Sequence, residues 1–392
     1  MSDLQNTTGF MGNLAPSATL TISNKAKEMK TNGFDVCSMS AGEPDFDTPQ
    51  GIKDACIKAI NEGKVRYTPA SGIPELKQEI VKKFAKNNIK TSPDRVIVAP
   101  GAKFSVFSAV CALCGEGDEV IIPAPYWVSY PEMVKASSAK PIEVKTLPEN
   151  NYELTAEQLE KAITPRTKLL ILNSPSNPTG SVYKKETLEK IAEILIKHNV
   201  MVLSDEIYEE LIYDNQFPHI SIGSLNDKIA DLTITVNGFS KAYAMTGWRL
   251  GYLTAPLWLI KKISALQSHT TSNPTSFAQY GALAALQGVA DKEIIEMRNS
   301  FAKRKDLICD LLSEIPNLSF VRPNGAFYVL CDISKFGLND NEFALRLLDE
   351  EYVAAVPGES FGAEGTIRLS YACSEENIRK AVQRLKKFCE KL

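Results

Sequence analysis

The sequence predicts an α/β protein with a large domain on a mostly parallel sheet and a smaller α+β domain beside it. Three observations lead there. The chain has 392 residues, more than one small core holds. From about residue 95, short β-branched apolar runs alternate with helical stretches, the pattern of βαβ units. After Pro256 the alternation gives way to long helices and then to short mixed elements.

The runs Arg95–Ala99, Glu119–Pro123, Thr167–Leu172, Val200–Ser204 and Leu232–Val236 are short, mainly apolar and β-branched, as suits strands covered on both faces. Between them lie the helical stretches Lys103–Leu113, Trp127–Ala136, Thr155–Ile163 and Lys184–His198. Ser276–Leu286 and Asp291–Leu312 read as long helices. The small elements follow: strands near Leu318–Val321, Ala326–Cys331, Tyr352–Val356 and Thr366–Ser370, and helices near Asn341–Glu351 and Glu375–Leu392. Residues 1–19 read as an N-terminal arm with no core of its own.

Lys plus Arg is 44 and Asp plus Glu is 47, a net charge of −3. That balance gives no bulk attraction to nucleic acid or anionic lipid, so neither is expected as a partner. No apolar stretch approaches the roughly 20 residues that span a bilayer. The polar start lacks the order of a secretory signal. Eight cysteines at irregular spacing, with one lone CxxC at Cys111 and Cys114, read as reduced thiols on apolar elements. A cytoplasmic protein is therefore expected, with no metal site.

Polar residues cluster where strands end, which is where open α/β sheets bind ligands. Asn177 projects from the rigid turn Ser174–Gly180; an ordinary turn asparagine reads equally well. Asp205 closes a buried strand, where a carboxylate is costly unless paired, or else caps a helix. Lys241 follows a third strand in apolar and aromatic company, where desolvation makes an amine nucleophilic; a surface loop is the plain alternative. Taken together, these residues are explained by a ring cofactor. Lys241 would bind its aldehyde as an imine, Asp205 would keep its ring nitrogen protonated, and Tyr208 and Asn177 would reach its ring oxygen. The turn Gly101-Ala102-Lys103 before a helix would cradle a phosphate on backbone N–H groups, helped by Ser240 and Arg249.

These residues resemble the class I pyridoxal-phosphate aminotransferases, and within them the prokaryotic-type aspartate aminotransferases. The resemblance runs from Pro16 to the last helix. It is carried by Ala41–Pro49, Pro125–Pro131, Asn173–Gly180, Ser204–Tyr208, Ser240–Gly251 and Ile367–Ala372. It implies pyridoxal 5'-phosphate as cofactor and fold type I, with a seven-stranded sheet in the large domain. It also implies that Lys241, Asp205 and Tyr208 are catalytic, with Lys241 moving the substrate's Cα proton. Trp127 would stack on the cofactor ring, and Gly101, Ala102, Lys103, Ser240 and Arg249 would hold its phosphate. Tyr67 would reach the phosphate of a neighbouring subunit, which requires a homodimer with shared sites. Arg368 would grip the substrate α-carboxylate beside Asn177, Trp127 and the backbone of Gly42; read alone, Arg368 is a surface arginine at a sheet edge. The expected division is a large domain over 49–283 and a small one joining 20–48 to 284–392, closing over the substrate.

In this subgroup Lys103 is associated with a distal carboxylate, so the expected reaction moves the amino group of aspartate to 2-oxoglutarate. Ser17 and Thr19 lie in a segment resembling a closing flap. Ala15 stands where many relatives carry a lysine linked to a second carboxylate of prephenate, which argues against that substrate. The alternatives are transamination of alanine, an aromatic acid, kynurenine or prephenate/arogenate, and behind these a pyridoxal-phosphate β-lyase. A ligand-sensing regulator would need a DNA-binding domain that residues 1–20 leave no room for.

Overall fold

A computed structural model describes residues 18–214 and 218–392. Ala15, Ser17 and the rest of residues 1–17 lie outside the described residues. The first helix, Ala18–Thr31, begins inside the segment read as an arm and takes in Thr19.

The strands, in chain order, are β1 (Cys37–Ser38), β2 (Val96–Ala99), β3 (Glu119–Ala124), β4 (Lys140–Lys145), β5 (Thr167–Asn173), β6 (Met201–Asp205) and β7 (Thr233–Gly238). They continue as β8 (Gly251–Thr254), β9 (Ser319–Phe320), β10 (Tyr328–Asp332), β11 (Val353–Ala354), β12 (Val356–Pro357) and β13 (Thr366–Ser370). Seven of them form the central sheet in the order β2-β8-β7-β6-β5-β3-β4. β4, β3, β5, β6 and β7 run parallel, while β8 is antiparallel to both β7 and β2.

The unbroken apolar runs have a simple cause. Leu170 and Leu172 face one helical layer with Val202, against Leu188, Ile191 and Leu195 of helix Lys185–His198. Ile171 faces the other layer with Met201 and Leu203, against Val106, Ala109 and Val110 of helix Ala102–Leu113. Helices cover both faces, so the middle of these strands is apolar, and polar residues such as Lys168, Asn173, Ser204 and Asp205 sit toward the strand ends.

Among the described residues, two strands of the central sheet and the helices Gln50–Asn61, Pro74–Lys86 and Leu257–Thr270 escape the sequence reading. β4, sequence KPIEVK, is an edge strand whose charged residues meet solvent. β8 is four residues long and starts at a glycine. Helix Leu257–Thr270 carries its apolar residues irregularly and was not anticipated. Ends also shift by a residue: Thr155, read as helical, is instead the N-cap of Ala156–Ala162, accepting from the Gln158 amide while Gln158 accepts from the Thr155 amide.

The C-terminal strands form a second, antiparallel sheet in the order β12-β13-β10-β9. Residues near the N-terminus belong with this layer: β1 pairs with β11, and Ile22 and Ala26 pack on Leu348 and Ala354. The chain order of the central sheet reverses between β3 and β5. Ligands of open α/β sheets bind outside the carboxyl ends of the strands at such a point.

Candidate active site

A cavity of about 550 Å³ opens at that place. One wall is built from the carboxyl ends of β3, β5, β6 and β7, the other from the antiparallel sheet and the segment after β1. Among the residues singled out from sequence, Gly42, Ala102, Lys103, Trp127, Asn177, Asp205, Tyr208, Ser240, Lys241, Arg249 and Arg368 all line it.

Asp205 is the last residue of β6 and is 4% exposed. It caps no helix: residues 207–210 form a turn. Tyr130 donates its hydroxyl to Asp205 Oδ2 at 2.7 Å, and the Ile207 amide donates to Oδ1 at 3.3 Å. Burial pushes the carboxyl up to about 6, against the pull of those two hydrogen bonds. Asn173, its register partner on β5, donates to the Asp205 carbonyl at 2.9 Å. The Asn173 Oδ1 in turn accepts from the Asn177 amide at 2.9 Å, which fixes the turn that carries Asn177.

Lys241 lies three residues beyond the end of β7. Its Nζ donates to the carbonyl of Gly42, across the cavity from the strand ends. Burial lowers the ammonium to about 8; Glu43 and Asp205 oppose the fall, while Arg368 and Arg249 deepen it. An amine so placed is partly neutral near physiological pH and able to take a proton.

An anion cradle lies at the start of helix Ala102–Leu113. Gly101, its N-cap, has φ +90°. A Cβ there would come within 2.7 Å of the Arg249 guanidinium, so the glycine lets that cation lie against the helix start. A Cβ on Gly251 would fall 2.1 Å from the Ala102 nitrogen, so β8 packs directly beneath the turn. The first amide bonded back to Gly101 is that of Phe104, and the amides of Ala102 and Lys103 precede it at the positive end of the helix dipole. Lys103 Nζ sits 4.8 Å from the centre of the Trp127 ring, and burial lowers its ammonium, as does Arg249.

Arg368 supplies the opposite wall. β13 is flanked by β12 and β10, so Arg368 is an interior residue, 1% exposed, and not a sheet-edge surface arginine. Its Nη1 donates to Asn177 Oδ1 at 3.0 Å and its Nη2 to the Ser40 carbonyl at 2.8 Å. Its Cζ lies 4.4 Å from the Tyr328 ring centre and 5.0 Å from that of Phe361. Among the described residues Nε has no partner, and none of the charges acting on the guanidinium is a carboxylate. A buried cation without a counter-ion is costly, and an incoming carboxylate would supply one.

Tyr67 is not among the residues lining this cavity and is 90% exposed; Val65, Ile60 and Ile57 are exposed as well. Sequence reasoning missed Tyr130, Tyr328 and Asn173 as site residues. Tyr130 lies three residues after Trp127, and the helix that begins at Ser129 turns it toward Asp205. Tyr328 sits in an apolar run and reads as core.

Outside the cavity, Glu206, Glu209 and His219 gather within metal-ligand reach. The carboxylates already have partners. Glu206 accepts from Ser204, Ser221 and His219, and Glu209 from Asn87 and Lys83.

The model of the family "Aminotransferase class I and II" matches residues 35–385 of the chain. Aspartate aminotransferase of Geobacillus stearothermophilus is 48% identical over 386 residues, 97% of this chain and 98% of that one. The probable aspartate/prephenate aminotransferase of Aquifex aeolicus is 45% identical over 388 residues, again 97% and 98%. The solved structure of aspartate aminotransferase from Thermus thermophilus with maleate superposes with a TM-score of 0.94 at 42% identity, covering 98% of this chain and 100% of that one.

Proposed function

The chain belongs to the class I and II aminotransferases, and we propose that it moves the amino group of L-aspartate to 2-oxoglutarate, giving oxaloacetate and glutamate. The observation that carries the substrate choice is the pair of cations lining one cavity. Arg368 is buried without a counter-ion, and Lys103 stands over Trp127. Two cations suit substrates with two carboxylates, and maleate, bound in the solved relative, has two.

The enzyme is pyridoxal-phosphate dependent, and the donor set fits that group. A buried carboxylate, an amine of lowered basicity and an anion cradle meet at the ends of neighbouring strands. When bound, the cofactor supplies an electron-accepting ring that stabilises the charge left when the substrate Cα–H bond breaks. Asp205, charged above about pH 6, would hold the proton of the cofactor's ring nitrogen. Tyr208 and the Asn177 Nδ2 would be the donors to the cofactor's ring oxygen, and Trp127 would pack against the ring; all three line the cavity. The amides of Ala102 and Lys103, with Ser240 and Arg249, take the phosphate. Arg368 grips the α-carboxylate, assisted by Asn177. Lys241, whose amine is of lowered basicity, would hold the cofactor covalently and, when free, would be the group able to take and return the substrate's Cα proton.

A homodimer completes the site. Tyr67, Val65, Ile60 and Ile57 are large hydrophobic residues left exposed, which suits cover by a second copy, with Tyr67 reaching the partner's phosphate cradle. No helix among the described residues is long and apolar enough to cross a membrane. The free cysteines suit a reducing cytoplasm.

The test is a panel of kcat/KM values for aspartate, alanine, phenylalanine and prephenate with suitable partners, in the wild type and in Lys103→Ala. The expected result is aspartate first, with Lys103→Ala lowering its kcat/KM about tenfold and that of phenylalanine far less. An equal loss for both would remove Lys103 from the account. Prephenate is included because several relatives are named for both substrates.

A further inference from the structure

The geometry points to Tyr328 as a positioning residue that orients the hydroxyl proton of Tyr208 and seats the guanidinium of Arg368, joining the cofactor side of the cavity to the carboxylate side. The inference rests on the reading of Tyr208 as a donor to the cofactor's ring oxygen.

The register of the second sheet explains how one side chain reaches both. Arg368 on β13 lies opposite Leu330 on β10, and Tyr328 is two residues back on β10. Residues two apart in a strand share a face, so Tyr328 and Arg368 are diagonal neighbours on the side that lines the cavity. The guanidinium carbon is 4.4 Å from the centre of the Tyr328 ring, a contact that holds the cation over the ring's negative face. This matters because, among the described residues, Arg368 has two hydrogen bonds, to Asn177 and Ser40, and its Nε has none.

The other end of Tyr328 meets Tyr208. Their hydroxyl oxygens are 2.9 Å apart, and both side chains are buried. The rings pack edge to face, with centres 5.8 Å apart, so neither can turn away from the other. Burial holds both phenols protonated, Tyr208 far above its ordinary range and Tyr328 above it as well. Two protonated phenols at this distance share one hydrogen bond, so one donates and the other keeps its proton free. Tyr208 can give its proton to a cofactor oxygen only if Tyr328 is the donor of the pair. A phenol that accepts one hydrogen bond is a stronger donor in the next. Among the described residues, the charged groups facing the two phenols are Arg368, Asp205 and Glu43, with Lys241 Nζ 5.8 Å from the centre of the Tyr208 ring.

The test uses the holoenzyme and three variants, read by the pH dependence of the cofactor's absorbance as well as by kinetics. Tyr208→Phe should raise the pKa of the lysine-bound cofactor, since it removes the donor itself. Tyr328→Phe keeps the ring under Arg368 and removes only the hydroxyl. It should shift the same titration upward by about one unit, the loss of one ordinary hydrogen bond, with KM for aspartate within about twofold of wild type. Tyr328→Leu removes ring and hydroxyl together, and should add a rise in KM of about tenfold. If Tyr208→Phe shifts the titration and Tyr328→Phe leaves it unmoved, the role given to Tyr328 is wrong while the placement of Tyr208 stands. If neither moves it, both are wrong. If Tyr328→Phe already raises KM as much as Tyr328→Leu, the ring is not what seats Arg368.

Discussion

The two walls of the cavity are built from different sheets and carry different kinds of charge. The parallel-sheet wall carries Asp205 and Lys241, whose burial moves their proton affinities toward each other, to about 6 and about 8. The antiparallel wall carries Arg368, which cannot lose its proton at any working pH and is held by fixed acceptors at Asn177 and Ser40. Proton transfer needs groups that change state near neutrality, while recognition of a carboxylate needs one that does not. The strand ends provide the first because each leads into a turn that can bring a polar side chain to the cavity. The second sheet provides the other because Arg368 lies on an interior strand among aromatic rings.

The largest expected effect breaks the fixed wall alone. Arg368→Leu should lower kcat/KM for aspartate and 2-oxoglutarate roughly 10²- to 10³-fold, as the loss of a buried charge pair does, while uptake of pyridoxal phosphate stays near wild type. Steady-state kinetics and a cofactor titration read the two separately. A comparable loss of cofactor uptake would show that the walls do not divide their work.

A smaller effect sharpens the titrating wall, in the cofactor-free protein. Asp205 releases its proton at about 6 when folded and near its ordinary 3.8 when unfolded. Between those values the folded state holds a proton that the unfolded state has lost, so stability falls as pH rises from about 4 to 6. Lys241 loses its proton at about 8 when folded and near 10.5 when unfolded, so stability climbs across that upper window. Urea titrations from pH 4 to 10 would show both limbs. Asp205→Asn should flatten the lower one, and a lower limb unchanged in that variant contradicts the assignment.

Much of this was legible in the sequence, for identifiable reasons. β5 and β6 announce themselves because both faces are covered and Leu169–Leu172 and Met201–Leu203 are unbroken apolar runs, and β7 follows with the β-branched Thr233–Val236. β4 does not, because an edge strand can carry Lys140, Glu143 and Lys145 outward. Asp205, Lys241 and Asn177 were visible because a polar residue at the end of an apolar run demands an explanation. Arg368 was harder. Arginine in a strand usually faces water, and only the interior place of β13 makes it a buried cation. Tyr130 and Tyr328 were hidden because a tyrosine among apolar residues looks like packing until its hydroxyl is seen to meet Asp205 or Tyr208.

The central claim is that the lysine after β7 holds the cofactor. The direct measurement is borohydride reduction of the protein loaded with pyridoxal phosphate, followed by peptide mass analysis. The account predicts one reduced cofactor per chain, carried on the peptide that contains Lys241 and absent from Lys241→Ala. A cofactor trapped mainly on Lys103 or another lysine, or a yellow Lys241→Ala protein that still traps it, would contradict the account.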